Sequence, residues 1–184
     1  MANLAKRRAT YDDVLAAPEH VIAEIIDGEL VTQPRPASPH ARASTALGAK
    51  LYGIFDDGQG GPGGWIFLFE PELHLHGDIL VPDLAGWRRE RMPVLPDVAA
   101  FELPPDWLCE VLSSSTAAVD RAAKMPIYAR EHVGHAWLVD PIAQTLEAYR
   151  LERWLQLGAW RGAAKVRAEP FESFELELAV LWAR

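Results

Sequence analysis

The chain has 184 residues, 49% hydrophobic and 24% charged, with a formal net charge of −8 and a pI near 5.2. That length suits one soluble domain, 1–184, which can bury a core without disulfides or a structural metal. The acidic balance argues against a surface coated in basic residues for non-specific nucleic-acid binding.

Residues 1–9 carry Lys6, Arg7 and Arg8 with no apolar run behind them, so no signal peptide is expected. Residues 10–15 read as a short helix with Thr10 as N-cap and Asp12 and Asp13 in its first turn. Residues 24–32 have strand character, interrupted by Asp27-Gly28, a tight hairpin turn. Pro34, Pro36 and Pro39 then predict a stiff connection without regular structure. A helix is expected over 40–55, with Leu47, Leu51 and Ile54 at helical spacing. The glycine-rich run 58–64 ends it and lacks the Lys-Ser/Thr of a phosphate-binding loop.

Residues 65–69 form a continuous apolar run, expected as a buried strand. Residues 72–76 alternate, placing Leu73 and Leu75 opposite Glu72, His74 and His76, so the two histidines read as a solvated face rather than a metal pair. Strands follow over 79–87 and 107–113, with Asp83 at the polar interruption of the first. The long loop between them carries Pro93, Pro96, Pro104 and Pro105, and Arg88, Arg89 and Arg91 at its start suit either phosphate contacts or a solvated surface. The lone Cys109 can form no internal bridge and no thiolate zinc site, and fits a reducing, cytoplasmic compartment. Ser113 to Thr116 offer hydroxyls to cap a helix running towards His132, kinked or restarted at Pro126 and ended by Gly134. Those serines lack the Gly-x-Ser-x-Gly setting of a nucleophile. Strands are expected over 136–139 and 145–151, and an alternating one through Phe174, Leu176, Leu178 and Val180. Trp154, Leu155 and Leu157 suit either the core or a contact between two copies. No stretch approaches the ~18 apolar residues of a membrane span. The order of elements predicts an α/β fold, a mixed sheet with helices packed on it.

Chemistry concentrates at three positions. Glu110 shares a strand face with Leu108 and Leu112, where a carboxylate is costly unless paired or metal-bound. Asp83 follows Pro82, a pair common in turns, and Asp also caps strand ends, so alone it is a weak signal. Together the two acids supply what Mg²⁺ or Mn²⁺ requires, one or two carboxylates plus water and phosphate oxygens. Asp120, Lys124 and Tyr128 are spaced four apart on one helical face. Lys124 is then either half of a surface pair with Asp120 or an ammonium directed at the acids.

The ordered set Pro82-Asp83, Glu110-Val111-Leu112-Ser113-x-Ser115-Thr116, Asp120, Lys124, Tyr128, Gly134 and Trp137-Leu138-Val139-Asp140-Pro141 resembles the bacterial putative restriction endonuclease family of the PD-(D/E)XK nuclease superfamily. The opening Glu24-Ile25-Ile26-Asp27-Gly28-Glu29-Leu30 and His40 also match its pattern. The resemblance implies a restriction-endonuclease-like core with Asp83 and Glu110 as catalytic metal ligands for Mg²⁺. Leu112 stands where the superfamily expects lysine, and Lys124 on the following helix takes that part. Glu24 and His40 carry over as a supporting acid and a residue at the edge of the site, with Asp120 and Tyr128 supporting Lys124. The implied activity is metal-dependent cleavage of nucleic acid, DNA first, by a cytoplasmic protein that touches no membrane. The alternative is a nuclease-like fold kept as an inactive binding or assembly module, since fold does not establish function. A homodimer fits either.

Overall fold

The computed structural model describes residues 7–153 and 155–182. Trp154, grouped above with Leu155 and Leu157, lies outside them, as does Lys6. After a short helix α1 (Tyr11–Leu15), whose Asp13 carboxylate accepts the Thr10 N–H, the chain forms the hairpin β1 (Val21–Ile26) and β2 (Glu29–Pro34). Asp27 and Gly28 both take positive φ, 52° and 82°, which is what a two-residue turn matching the strands' twist requires. The hairpin joins β5 (Asp78–Leu80) and β4 (Leu73–Leu75) in an antiparallel sheet of order β2-β1-β5-β4.

A larger, six-stranded mixed sheet carries the rest. Its strands are β3 (Trp65–Phe69), β6 (Leu84–Arg88), β7 (Trp107–Val111), β8 (His135–Asp140), β9 (Thr145–Arg150) and β10 (Leu155–Arg161), in the order β10-β9-β8-β7-β6-β3. Only the β7–β8 pair is parallel, because the chain between them crosses over through α3 (Ala117–Val119), a π-helical turn (Asp120–Lys124) and α4 (Met125–Arg130). Alternation along β7 divides the core. Trp107, Cys109 and Val111 pack towards α2 (Ser38–Leu51) and the C-terminal segment, whereas Leu108 packs with Leu112, Met125, Ile127 and Tyr128 on the α4 side. No helix among the described residues is long and apolar enough to cross a membrane.

Several expectations shift. Residues 79–87 are not one strand: Val81-Pro82-Asp83 separates β5 from β6, which belong to different sheets. Proline has no N–H to give a ladder, so pairing stops there and the chain changes sheets. Pro34 ends β2 and Pro39 sits in the first turn of α2, so only 35–37 are irregular; both sites tolerate a missing N–H. Residues 65–69 form the expected strand with Trp65, Ile66 and Phe67 buried, but at the edge of the sheet, where Phe69 is 54% exposed. His132, at φ 63°, rather than Gly134, takes the left-handed position behind α4. Of the alternating stretch 174–180 only Leu176–Glu177 is a strand (β12, paired with β11, Lys165–Val166), and Leu178–Leu181 winds into a 3₁₀ turn that buries Leu178 and Leu181.

Candidate active site

The register of two strands creates the centre of the site. β6 pairs antiparallel with β7 as Leu84↔Cys109 and Ala85↔Leu108, so one further step sets Asp83 across from Glu110. The Asp83 carboxylate reaches over and accepts the Val111 N–H through Oδ2 at 2.7 Å, while Oδ1 lies 3.1 Å from His40 Nε2 on the first turn of α2. Glu110 comes from the C-terminal end of β7, where the chain leaves for the crossover. At the end of the π-helical turn, Lys124 directs its Nζ inwards, 2.8 Å from Glu110 Oε1 and 2.9 Å from Glu24 Oε1, with Asp120 Oδ1 at 3.7 Å. Tyr128, one helical turn further, donates its hydroxyl to Glu110 Oε1 at 2.5 Å.

Seven residues named from the sequence as site candidates thus lie close together. Glu24, His40, Asp83, Glu110, Asp120 and Lys124 line a cleft of about 190 Å³, and Tyr128 lies beneath it. Of the two readings of Lys124, the surface pair fails: the side chain is 2% exposed and its near partners are Glu110 and Glu24 rather than Asp120. Leu112, the residue found where lysine was expected, is buried in the apolar cluster on the α4 side.

Two groups that sequence reasoning missed belong to the same cleft. Gln33 donates from Nε2 to Glu24 Oε2 at 2.8 Å, and Glu24 Oε1 also accepts the Val81 N–H at 2.8 Å. The hairpin held the signal for Gln33. The Asp27-Gly28 turn sets Glu24 opposite Val31, so Gln33 is the diagonal neighbour on the same face. Arg35, between two prolines, reaches the cleft mouth, and no periodicity marked it. The Ser113–Thr116 segment forms another wall of the cleft; Ser113 Oγ lies 2.9 Å from Ser115 Oγ and 3.1 Å from Thr116 Oγ1. Arg88, Arg89 and Arg91 lie elsewhere: Arg88 stacks over Trp65, Arg89 pairs with Asp56 and Arg91 with Asp106.

Electrostatics follow from burial and crowding. Desolvation pushes the Glu110 carboxyl well above its ordinary range; Lys124 opposes this, while Asp120, Asp83 and Glu24 add to it. Desolvation also raises Asp120, again opposed by Lys124. For Lys124 burial acts downwards, but Glu110, Tyr128, Glu24 and Asp120 outweigh it and hold the ammonium well above its usual value. The His40 imidazole is raised, burial acting downwards and its bond to Asp83 upwards. The acids around Lys124 thus favour its ammonium form.

The donor set suits a hard divalent cation. Four carboxylates (Glu24, Asp83, Glu110 and Asp120) and one buried ammonium line the cleft, the ammonium lying against Glu24 and Glu110. The described bonds to Glu110 both end on Oε1, so Oε2 is the oxygen it has to offer. Among the described residues no three His, Cys, Asp or Glu side chains form a ready-made metal cage.

A solved structure described as a putative nuclease of the DUF820 family from Anabaena variabilis superposes with a TM-score of 0.77 at 22% identity, covering 95% of this chain and 97% of that one. That likeness concerns the fold: a mixed α/β architecture of the nuclease-like kind. No curated protein matches the sequence. Residues 9–180 match the Uma2 family, described as putative restriction endonuclease, and with nearly the whole chain covered the protein belongs to that family.

Proposed function

We propose that the protein is a divalent-metal-dependent endonuclease that hydrolyses phosphodiester bonds in DNA. The observation carrying this reading is the convergence of Asp83, Glu110 and Lys124 at the floor of one cleft, with a single buried ammonium among four carboxylates. Asp83 and Glu110 would hold Mg²⁺ or Mn²⁺, which when bound supplies a water of lowered pKa and charge neutralisation at the phosphate. The backbone N–H of Val111 and the ring of His40 fix the Asp83 carboxylate, so its orientation does not depend on the metal. Glu24 and Tyr128 restrict Lys124 and Glu110 in the same way.

Its place between Glu110 and Glu24 favours the ammonium form of Lys124, which suits it to orienting the attacking water rather than to taking its proton. Its part is to orient that water and to stabilise negative charge on the phosphate oxygens as the new P–O bond forms and the bond to the leaving sugar oxygen breaks. The proton released by the water passes to solvent, and the leaving sugar oxygen takes one from solvent.

The test is calorimetric titration of Mn²⁺ into wild type, Asp83→Asn and Glu110→Gln, with cleavage of plasmid and oligonucleotide DNA recorded alongside. Both variants should stay folded, bind Mn²⁺ more weakly and fail to cleave. Unchanged Mn²⁺ affinity in both would remove the site. A wild type that neither binds metal nor cleaves would leave the fold as a binding module.

A further inference from the structure

Resting on the nuclease reading, we propose that the cleft takes an unpaired nucleic-acid strand and that Arg35 grips a phosphate next to the one being cut. Of the cleft's lining residues, only Arg35 and Lys124 are lysine or arginine. Lys124 is enclosed by Glu24 and Glu110, which leaves Arg35 as the exposed cation at the entrance, its side chain 58% accessible.

The local sequence presents this side chain rigidly. Pro34 fixes its own φ, and Pro36 restricts the residue before it to extended backbone, so Arg35 is held from both sides. Its existing partners hold it weakly. Nη1 lies 3.4 Å from Glu70 Oε2 and Nη2 lies 3.4 Å from the Glu19 carbonyl, both exposed and longer than a good hydrogen bond. A phosphate offers the guanidinium a better, bidentate partner.

Size and charge select the strand. The cleft measures about 190 Å³, below the roughly 300–1,000 Å³ of pockets that enclose a whole small molecule. It admits a phosphodiester group and leaves sugars and bases outside. The acids and lysine lie at its floor, Glu24, Glu110 and Lys124 each at most 3% exposed. A phosphate must therefore be inserted between the 33–37 arm and the Ser113–Thr116 wall, which a flexible single strand does more readily than a duplex. Rigid duplex binders also spread many phosphate contacts over basic surface, and this entrance has one exposed cation on a chain of net charge −8.

The experiment measures fluorescence anisotropy of a short labelled oligothymidylate and of a hairpin duplex of equal length, in Ca²⁺ across a salt series. The proteins are wild type, Arg35→Gln and, as a control on exposed charge outside the cleft, Arg42→Gln. The single strand should bind more tightly than the duplex. Arg35→Gln should lose about tenfold in affinity, as expected for one charged hydrogen-bonding contact, and flatten the log–log salt slope by about 0.7. Arg42→Gln should match wild type. Duplex binding equal to or tighter than single strand overturns the inference, as does affinity undiminished in Arg35→Gln or lowered equally in Arg42→Gln. Wild type binding neither probe overturns the nuclease reading itself, a result distinct from any of these.

Discussion

Replacing Lys124 by methionine removes the charge at the centre of the site and keeps most of the apolar stem. The side chain is 2% exposed and bridges two acids, Glu110 at 2.8 Å and Glu24 at 2.9 Å, each buried as deeply. Removing one partner of a buried pair strands the other, at a cost of about 3–5 kcal/mol. An exposed pair would cost about 0–1 kcal/mol. For a chain of this size ~2–4 °C accompanies each kcal/mol, so Tm should fall by roughly 6–20 °C. The loss should also depend on pH, with a sign that follows from Glu110. Its carboxyl is already raised above the ordinary value of 4.5, and Lys124 is the group opposing that rise. In Lys124→Met the carboxyl moves further up. The folded variant then holds a proton that the unfolded chain releases near pH 4.5, so its stability falls as pH rises from there through the raised value. The deficit relative to wild type is smallest in acid and largest above that window. Urea unfolding in EDTA at several pH values measures it, and adding Glu110→Gln should recover part of the loss, since both partners are then neutral. A deficit below about 1 kcal/mol, or one that shrinks as pH rises, would refute the buried-pair account.

Two further outcomes follow from single contacts. Tyr128→Phe deletes the hydroxyl given to Glu110 and should cost about 1.5–3 kcal/mol in urea unfolding, as for a hydrogen bond to a charged group; the rate of DNA cleavage should fall about 10–100-fold, as for other partners that orient metal ligands. Gly86→Ala in β6 would place its Cβ 2.7 Å from Phe67 Cε1 and 2.9 Å from Cδ1. With Phe67 itself buried, that overpacking should cost about 1–3 kcal/mol with little change in Mn²⁺ affinity.

Local physics made much of the protein legible in its sequence. Asp27-Gly28 dictates a turn because both residues accept positive φ, and the hairpin register follows. Strand alternation put Glu110 among leucines on the face where its carboxylate is in fact buried, and four-residue spacing put Asp120, Lys124 and Tyr128 on one side of the crossover. Family resemblance supplied Glu24 and His40, which residue patterns alone left unmarked.

Tertiary structure decided the pairings. Glu24 meets the Val81 N–H and Lys124, partners far off in sequence, only because β1 and β5 share one sheet while β6 and β7 share the other. The apolar pattern of 79–87 runs on through Val81, so it could not show that Pro82 ends one sheet's ladder and that Asp83 begins its approach to Glu110 just beyond it. Nor could sequence choose between a surface pair and a buried ammonium for Lys124. That depends on which way the helix face turns, and the face is set by packing of Met125, Ile127 and Tyr128 against the sheet. Residues close in the chain settle turns and faces; the charge environment of a site comes from groups that only the register of two sheets brings within a few ångströms.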